Sequence, residues 1–345
     1  MGLSTKVSVV IPVYNSKETI VDCLESVFSD NNLDVECIVV DDGSTDGSGA
    51  IVSNYIADHK DFLIRLMHQP NKGVSAARNY GLDAASYPYV TFLDSDDCFD
   101  IGWQKNVKDA LSNFDNEILI FSSSVGRSDW VNSDTCVCKC LNARNCDIDI
   151  TPTALCGPVS KVYSARFLNR NNIRFDSEVK VGEDVLFNVE AFLNCSEVAV
   201  ISRSIYLYRK NLDSVTNKPL TDPVGNELAF HIHLKRLLLN SHLSPTTTKR
   251  LIYKNCLGGL LGLIANQNSS EPDIEMLLKN KRDQDYQMAL ESLFDFYGDF
   301  SLAHFFALFF LKAGSFNSSK FILTLYRLLK FMVYRTRHGI IIERI

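Results

Sequence analysis

Residues 91–97 read TFLDSDD, a short apolar run that ends on three aspartates in four positions. Carboxylates this close repel one another, and each resists losing its water. The cluster therefore costs stability unless a cation or a reacting group offsets it. The plain alternative is a solvated turn opening a helix, because Asp favours turns and helix N-termini. The segments on either side decide between them.

Upstream, the chain alternates. KVSVVIP (6–12), VECIVV (35–40), FLIRLMH (62–68) and YVTFL (89–93) are short β-rich runs. Between them lie helical patterns over 17–29, 47–58 and 73–86. In the first, Ile20, Cys23, Leu24, Val27 and Phe28 recur at helical spacing; the inner stripe of the third is Val74, Ala77, Gly81 and Ala84. Strands alternating with helices at this spacing give right-handed β-α-β units and a mostly parallel sheet. Asp41 and Asp42 then follow the second strand, and Asp94 and Asp96 the fourth. Ligands of open parallel sheets bind just beyond the carboxyl ends of the strands, so two acidic clusters converge on one crevice. A functional site becomes the better reading of the aspartates.

Several familiar chemistries are absent. "IPVYNS" stands after the first strand where a dinucleotide site needs G-x-G-x-x-G, and no GxxxxGK[ST] phosphate loop occurs. "DGSTDG", starting at Asp42, begins like a calcium loop but has Ser53 where a bidentate Glu is required. "CVCKCLNARNC" (136–146) lacks the C-x2-C pairs of a zinc site. Its alternation instead suggests a strand with Cys136, Cys138 and Cys140 packed on one face.

With 46% hydrophobic and 22% charged residues, the 345-residue chain is a folded protein rather than a disordered one. Charge is uneven: residues 1–215 hold 19 Lys+Arg against 30 Asp+Glu, and residues 216–345 hold 16 against 11. Two parts with different partners are expected. The first residues carry no secretory pattern, and no apolar run reaches the ~18 residues of a membrane span. The expected location is cytoplasmic, with peripheral contact to the membrane's inner face.

VSVVIPVYN, VDDGSTDGS, NKGVSAARNYG, FLDSDD and GED before a hydrophobic pair, in this order, resemble the family 2 glycosyltransferases over about residues 5–215. That resemblance implies a nucleotide-sugar-binding GT-A fold: Rossmann-like α/β, a mostly parallel sheet with helices on both faces. A smaller α-helical domain would follow over 216–345. It implies an inverting enzyme moving one sugar from a nucleotide-diphosphate sugar, UDP-linked above all, to a hydroxyl of a glycan or lipid-linked acceptor. The setting would be capsule, O-antigen or exopolysaccharide synthesis. By the same resemblance Pro12, Tyr14, Asn15, Asp42, Arg78, Asp94 and Ser95 hold the donor nucleotide, with Asp42 accepting from the base. Asp96 holds Mn2+ or Mg2+ between the phosphates, and Asp41 steers its loop. Asp97 caps the next helix. Asp184 is the catalytic base and Glu183 lies near the acceptor. Arg209 with Lys210 faces the diphosphate, and Lys161 contacts substrate, although Pro158 and Val159 replace an aromatic common there. The alternative for Arg78 is a salt bridge between helix and loop.

Beyond residue 221 leucine and phenylalanine recur at helical spacing (Leu234, Leu237, Leu238; Leu302, Phe305, Phe306, Phe309), a pattern of plain helical core. From Lys312 onward there are seven Lys+Arg and one acid. A helix over 320–337 with Lys320, Arg327, Lys330 and Arg337 near one face suits a membrane surface, and equally a buried helix or a homodimer contact. No nucleic-acid partner is indicated. The Q-x-x-R-W element of processive synthases is missing, which points to single-sugar addition. Two rivals remain: a sugar nucleotidyltransferase, which should show a glycine-rich phosphate loop, and a binding protein that keeps the fold without turnover. A phosphatase reading fails because "DSDDC" lacks the Thr or Val that should follow its D-x-D.

Overall fold

The computed structural model describes residues 6–141, 150–209, 220–265, 269–279, 284–296 and 301–322. The chain divides into two compact units, Met1–Val215 and Thr216–Ile345.

The first unit opens with β1 (Lys6–Val13), α1 (Ile20–Val27), β2 (Asp34–Asp41), α2 (Ser48–Asp58), β3 (Leu63–His68), α3 (Val74–Ala84) and β4 (Tyr89–Phe92). β5 (Cys98–Phe99), α4 (Trp103–Asn113), β6 (Ile118–Phe121), β7 (Asp129–Asn132), α5 (Ser133–Cys140) and α6 (Pro152–Cys156) follow. β8 (Lys161–Ser164), α7 (Ala165–Arg170), α8 (Glu183–Leu193), β9 (Glu197–Ile201) and β10 (Tyr206–Leu207) complete it. Eight strands form one sheet in the order β3-β2-β1-β4-β8-β6-β9-β7, and β10 pairs with β5 apart from it. β1 lies between β2 and β4, parallel to both, and β2 is parallel to β3. β8 runs antiparallel to β4 and to β6, so the sheet is mixed beyond β4. The near-continuous burial of KVSVVIPV is what a central parallel strand covered on both faces requires.

The α1 stripe is buried as its spacing predicts: Ile20, Cys23, Leu24 and Val27. In α3 the inner face is instead Ser75, Ala77, Arg78, Gly81 and Leu82, with Val74 exposed. An arginine therefore occupies a position that an apolar periodicity would not choose. Gly81 brings α3 against the sheet so closely that a Cβ would lie 2.4 Å from Val10 Cγ1 and 3.3 Å from Val40 Cγ2. Gly81→Ala is expected to lower unfolding stability by about 1–3 kcal/mol through overpacking. Urea titration measures this, and an unchanged midpoint would mean that α3 can lift freely.

The cysteine run lies on a helix, not a strand. The Asn132 side chain accepts from Asp134 N at 2.9 Å and starts α5. Cys136, Val137 and Cys140 face inward, a helical face that the C-x-C alternation disguises.

The second unit is helical among its described residues: α9 (Pro223–Leu239), α10 (Pro245–Ala265), α11 (Glu271–Leu278), α12 (Asp285–Glu291) and α13 (Leu302–Lys312), with a 3-10 turn at Leu293–Phe296. Leu234 and Leu238 are buried, as is Phe305, whereas Phe306 and Phe309 are exposed. The Asp285 carboxylate meets His231 Nε2 at 3.4 Å and Lys235 Nζ at 2.6 Å. Among the described residues no helix is long and apolar enough to cross a membrane. Most of the basic segment 320–337, with Arg327, Lys330 and Arg337, lies outside the described residues.

Candidate active site

The site is assembled at the carboxyl ends of β1, β2 and β4. After Val13 the chain turns through Tyr14, half exposed, and Asn15, which adopts φ 52, a left-handed conformation that Asn tolerates. Asn15 N donates to Ser44 Oγ at 3.0 Å, and Asn15 Oδ1 accepts from Thr45 N at 2.8 Å. Ser16 N donates to Ser48 Oγ at 2.8 Å. The loops after β1 and β2 are thus clipped together, with buried Pro12 at the base of the turn.

Asp41 accepts from Ser44 N at 2.9 Å and meets His68 Nδ1 at 3.1 Å, so it shapes the loop. Asp42 is buried, and its Oδ1 accepts from Gln69 Nε2 and Lys72 N while Oδ2 accepts from Gly73 N. A carboxylate offers about four lone-pair positions, so one on Oδ2 remains for a ligand N–H.

The aspartates that follow β4 are treated differently from one another. Ser95 is fixed: its Oγ lies 2.7 Å from Ser16 Oγ, and its carbonyl accepts from Thr19 Oγ1 at 2.8 Å. Asp97 is buried and binds the Tyr206 hydroxyl and Arg209 N. It therefore ties β10 to the cluster and does not cap the following helix. Burial pushes its carboxyl up to about 6 against those hydrogen bonds. Asp96 is partly buried and forms no ion pair among the described residues; burial and the Asp94 charge beside it raise its pKa.

Asp94 faces Arg78, and Arg78 joins the site into one unit. The guanidinium is 4% exposed; its Nη2 donates to Asp94 Oδ1 at 2.9 Å, and its Nη1 to Asp184 Oδ1 at 2.7 Å and Glu183 Oε1 at 3.5 Å. Burial opposes its charge, but Asp184, Asp94 and Glu183 together outweigh that and hold it protonated. Glu183 and Asp184 open α8 behind Gly182, whose φ of 100 suits glycine. Burial pushes Glu183 up to about 7, helped by the Asp184 charge and opposed by Arg78. Burial raises Asp184 as well, against the pull of Arg78. Asn188, one turn along α8, donates from Nδ2 to Asp184 O at 2.9 Å and to Cys156 O at 2.7 Å, and accepts from Tyr163 OH at 2.8 Å.

Two expected contacts take another form. Lys161 does not reach a substrate: it is fully buried, and its ammonium donates to the carbonyls of Ala154 and Gly157. The guanidinium of Arg209 is engaged by Asp22 Oδ2 at 3.0 Å and Cys98 Sγ at 2.7 Å. Lys210 lies outside the described residues. Sequence reading passed over Ser16, Thr19, Asn188 and Tyr206. Ser16 and Thr19 stand just ahead of α1, where hydroxyl residues signal a helix start; no local signal marks the other two.

Residues 8–136 match the family model described as Glycosyl transferase family 2. The chain carries a family 2 glycosyltransferase domain. EpsJ of Bacillus subtilis, an uncharacterized glycosyltransferase, is 27% identical over 76% of this chain and 78% of its own length. The poly(ribitol-phosphate) beta-glucosyltransferase of Bacillus spizizenii is 28% identical over 72% of this chain. TarS of Staphylococcus aureus, a poly(ribitol-phosphate) beta-N-acetylglucosaminyltransferase, is 30% identical over 59% of this chain. The matches span 42% and 35% of those last two proteins. Among solved structures, TarS 1–349 in complex with UDP-GlcNAc superposes with a TM-score of 0.64 at 20% identity, covering 94% of this chain and 92% of that one. The glycosyltransferase domain therefore has the GT-A fold, with a helical part after it.

Proposed function

We propose that this glycosyltransferase binds a UDP-sugar at the crevice of β1, β2 and β4 and transfers one sugar, with inversion, to a hydroxyl of a cell-surface polymer or its lipid-linked precursor. The observation that carries the reading is the single buried guanidinium of Arg78 between Asp94, on the donor side, and Asp184, at the start of α8. It sets the donor-binding loop and a carboxylate of raised pKa at a fixed separation. The glycosyltransferase relatives support the activity, and the ribitol-phosphate enzymes among them favour a wall-polymer acceptor.

In this scheme Tyr14 offers an exposed ring to the nucleobase, and Asp42 the remaining lone pair of Oδ2 to a base N–H. Pro12 and Asn15 fix the turn beneath them, and Ser95 and Asp94 hold the ribose side. Asp184 takes the proton from the acceptor hydroxyl as its oxygen attacks the anomeric carbon opposite the nucleotide. Attack on that face gives inversion, so an α-linked donor yields a β-linkage. Glu183, raised by burial and the Asp184 charge, can in its protonated form donate a hydrogen bond at the acceptor.

A divalent cation fits Asp96: a hard carboxylate oxygen, partly buried, without a cation partner among the described residues, and raised in pKa by burial and Asp94. Bound there, Mn2+ or Mg2+ would neutralise charge developing on the departing diphosphate. Whether the sugar is a hexose or an N-acetylhexosamine depends on pocket shape near residues 157–180.

Titration calorimetry with UDP, GDP and dTDP, each with and without Mn2+, tests the reading. UDP is expected to bind best and to need the metal, and Asp96→Ala to remove the metal dependence. Absence of binding by all three nucleotides would overturn it.

A further inference from the structure

Behind the base-bearing helix α8 sits a group of side chains that glycosyl transfer does not use. Cys140 ends α5 and Cys156 ends α6. Cys140 Sγ donates to Leu155 O at 3.7 Å, while Cys156 Sγ donates to Cys140 O at 3.9 Å. Each thiol thus rests against the backbone that carries or adjoins the other cysteine, which places the two side chains next to one another. Cys140 is 6% exposed, whereas Cys156 is partly open. The buried ammonium of Lys161 is pinned to the carbonyls of Ala154 and Gly157, on either side of Cys156 in the chain. A fixed cation beside a partly open cysteine, with a second thiol behind it, is the arrangement of an attacking and a resolving thiol.

We infer that Cys156 and Cys140 form an oxidation-sensitive pair that closes to a disulfide when the protein meets a peroxide. The Cys156 sulfur attacks one oxygen of hydrogen peroxide and the O–O bond breaks. The departing hydroxide takes up the Cys156 proton as water, leaving Cys156 as a sulfenic acid. The Cys140 sulfur then attacks the Cys156 sulfur, the S–O bond breaks, and the hydroxyl leaves with the Cys140 proton as a second water. Two thiols are oxidised and one peroxide is reduced to two waters. The adjoining Cys140 thiol, with Lys161 adding to it against burial, holds the Cys156 thiol below its usual range, while that contact and burial raise Cys140. A lowered thiol holds more of its sulfur as thiolate near neutrality than an ordinary cysteine does, and that gain is offset in part by weaker nucleophilicity.

The whole chain is exposed to graded hydrogen peroxide, its remaining thiols are alkylated, and its peptides are mapped by mass spectrometry. A Cys140–Cys156 linked peptide is expected, lost on treatment with dithiothreitol and absent from Cys156→Ser. With dimedone present, Cys140→Ser should accumulate the sulfenic adduct on Cys156, ahead of the partly open Cys138 and Cys195. Absence of the linked peptide from the wild type at every peroxide level would overturn the inference. So would a dimedone adduct on Cys156 no greater than that on Cys138 or Cys195. The mapping reads the thiols directly and needs no activity, so its failure would leave the glycosyl-transfer reading untouched.

Discussion

Asp184→Asn is expected to slow sugar transfer by about 10²–10⁴-fold, the range that removal of a general base produces, while metal-dependent UDP binding is unchanged. The amide keeps the size of the side chain and can still sit beside Arg78, but it cannot take a proton. Initial rates and UDP titration on the same preparation separate the two effects. Transfer retained near the wild-type rate would sink the base assignment; weakened UDP binding would place Asp184 on the donor side. The pH profile gives a second check. Burial raises both Asp184 and Glu183, and Glu183 stands at about 7. The two interact, so the apparent values belong to the pair. A base works ionised, so the wild-type rate should climb with pH through a window above the ordinary carboxylate range and reaching toward 7. Asp184→Asn should lose that limb, whereas a purely structural role would leave it in place.

How much of this was legible in the sequence follows from how local each signal is. The alternation from β1 to β4 rests on periods of 2 and 3.6 within single segments, so strands and helices fall where their spacing puts them. The aspartates after β2 and β4 follow from the strand ends alone. Two misreadings have a common cause. Cys136, Cys138 and Cys140 alternate like a strand, yet the Asn132 cap begins a helix there, and a helix also accepts a residue at i and i+4. Lys161 looks like a solvent-reaching cation until the carbonyls of Ala154 and Gly157 meet its ammonium from a turn just upstream. Arg78 is the extreme case. Its partners lie 16, 105 and 106 residues away, so no window of sequence could show that one guanidinium serves three carboxylates. The family resemblance pointed to the residue, and only the folded chain shows the hub.

That hub carries the second large effect. Arg78→Met is expected to lower unfolding stability by about 3–5 kcal/mol, the loss seen when one member of a buried ion-pair network is removed. Asp94 and Asp184 are 33% and 32% exposed, which lets water relieve part of the strain and favours the lower end. The pH dependence distinguishes this cause from simple loss of packing. Without the guanidinium, Glu183 and Asp184 face one another and Asp94 with nothing to offset their charge, so the pKa values of Glu183 and Asp184, already raised in the folded state, rise further above the unfolded ones. Groups of raised pKa destabilise the native state when they ionise and stop doing so as they become protonated. The deficit of Arg78→Met against wild type should therefore be largest at about pH 8 and shrink toward about pH 5. Loss of packing alone would give the same deficit at both. Arg78→Lys supplies a charge but not the two-sided fork that spans Asp94 and Asp184, so it should recover part of the stability while leaving transfer impaired. Urea unfolding of the three proteins at the two pH values decides the matter. A deficit below about 1 kcal/mol, or one that grows toward acid, would mean that the three carboxylates are held apart by something other than Arg78.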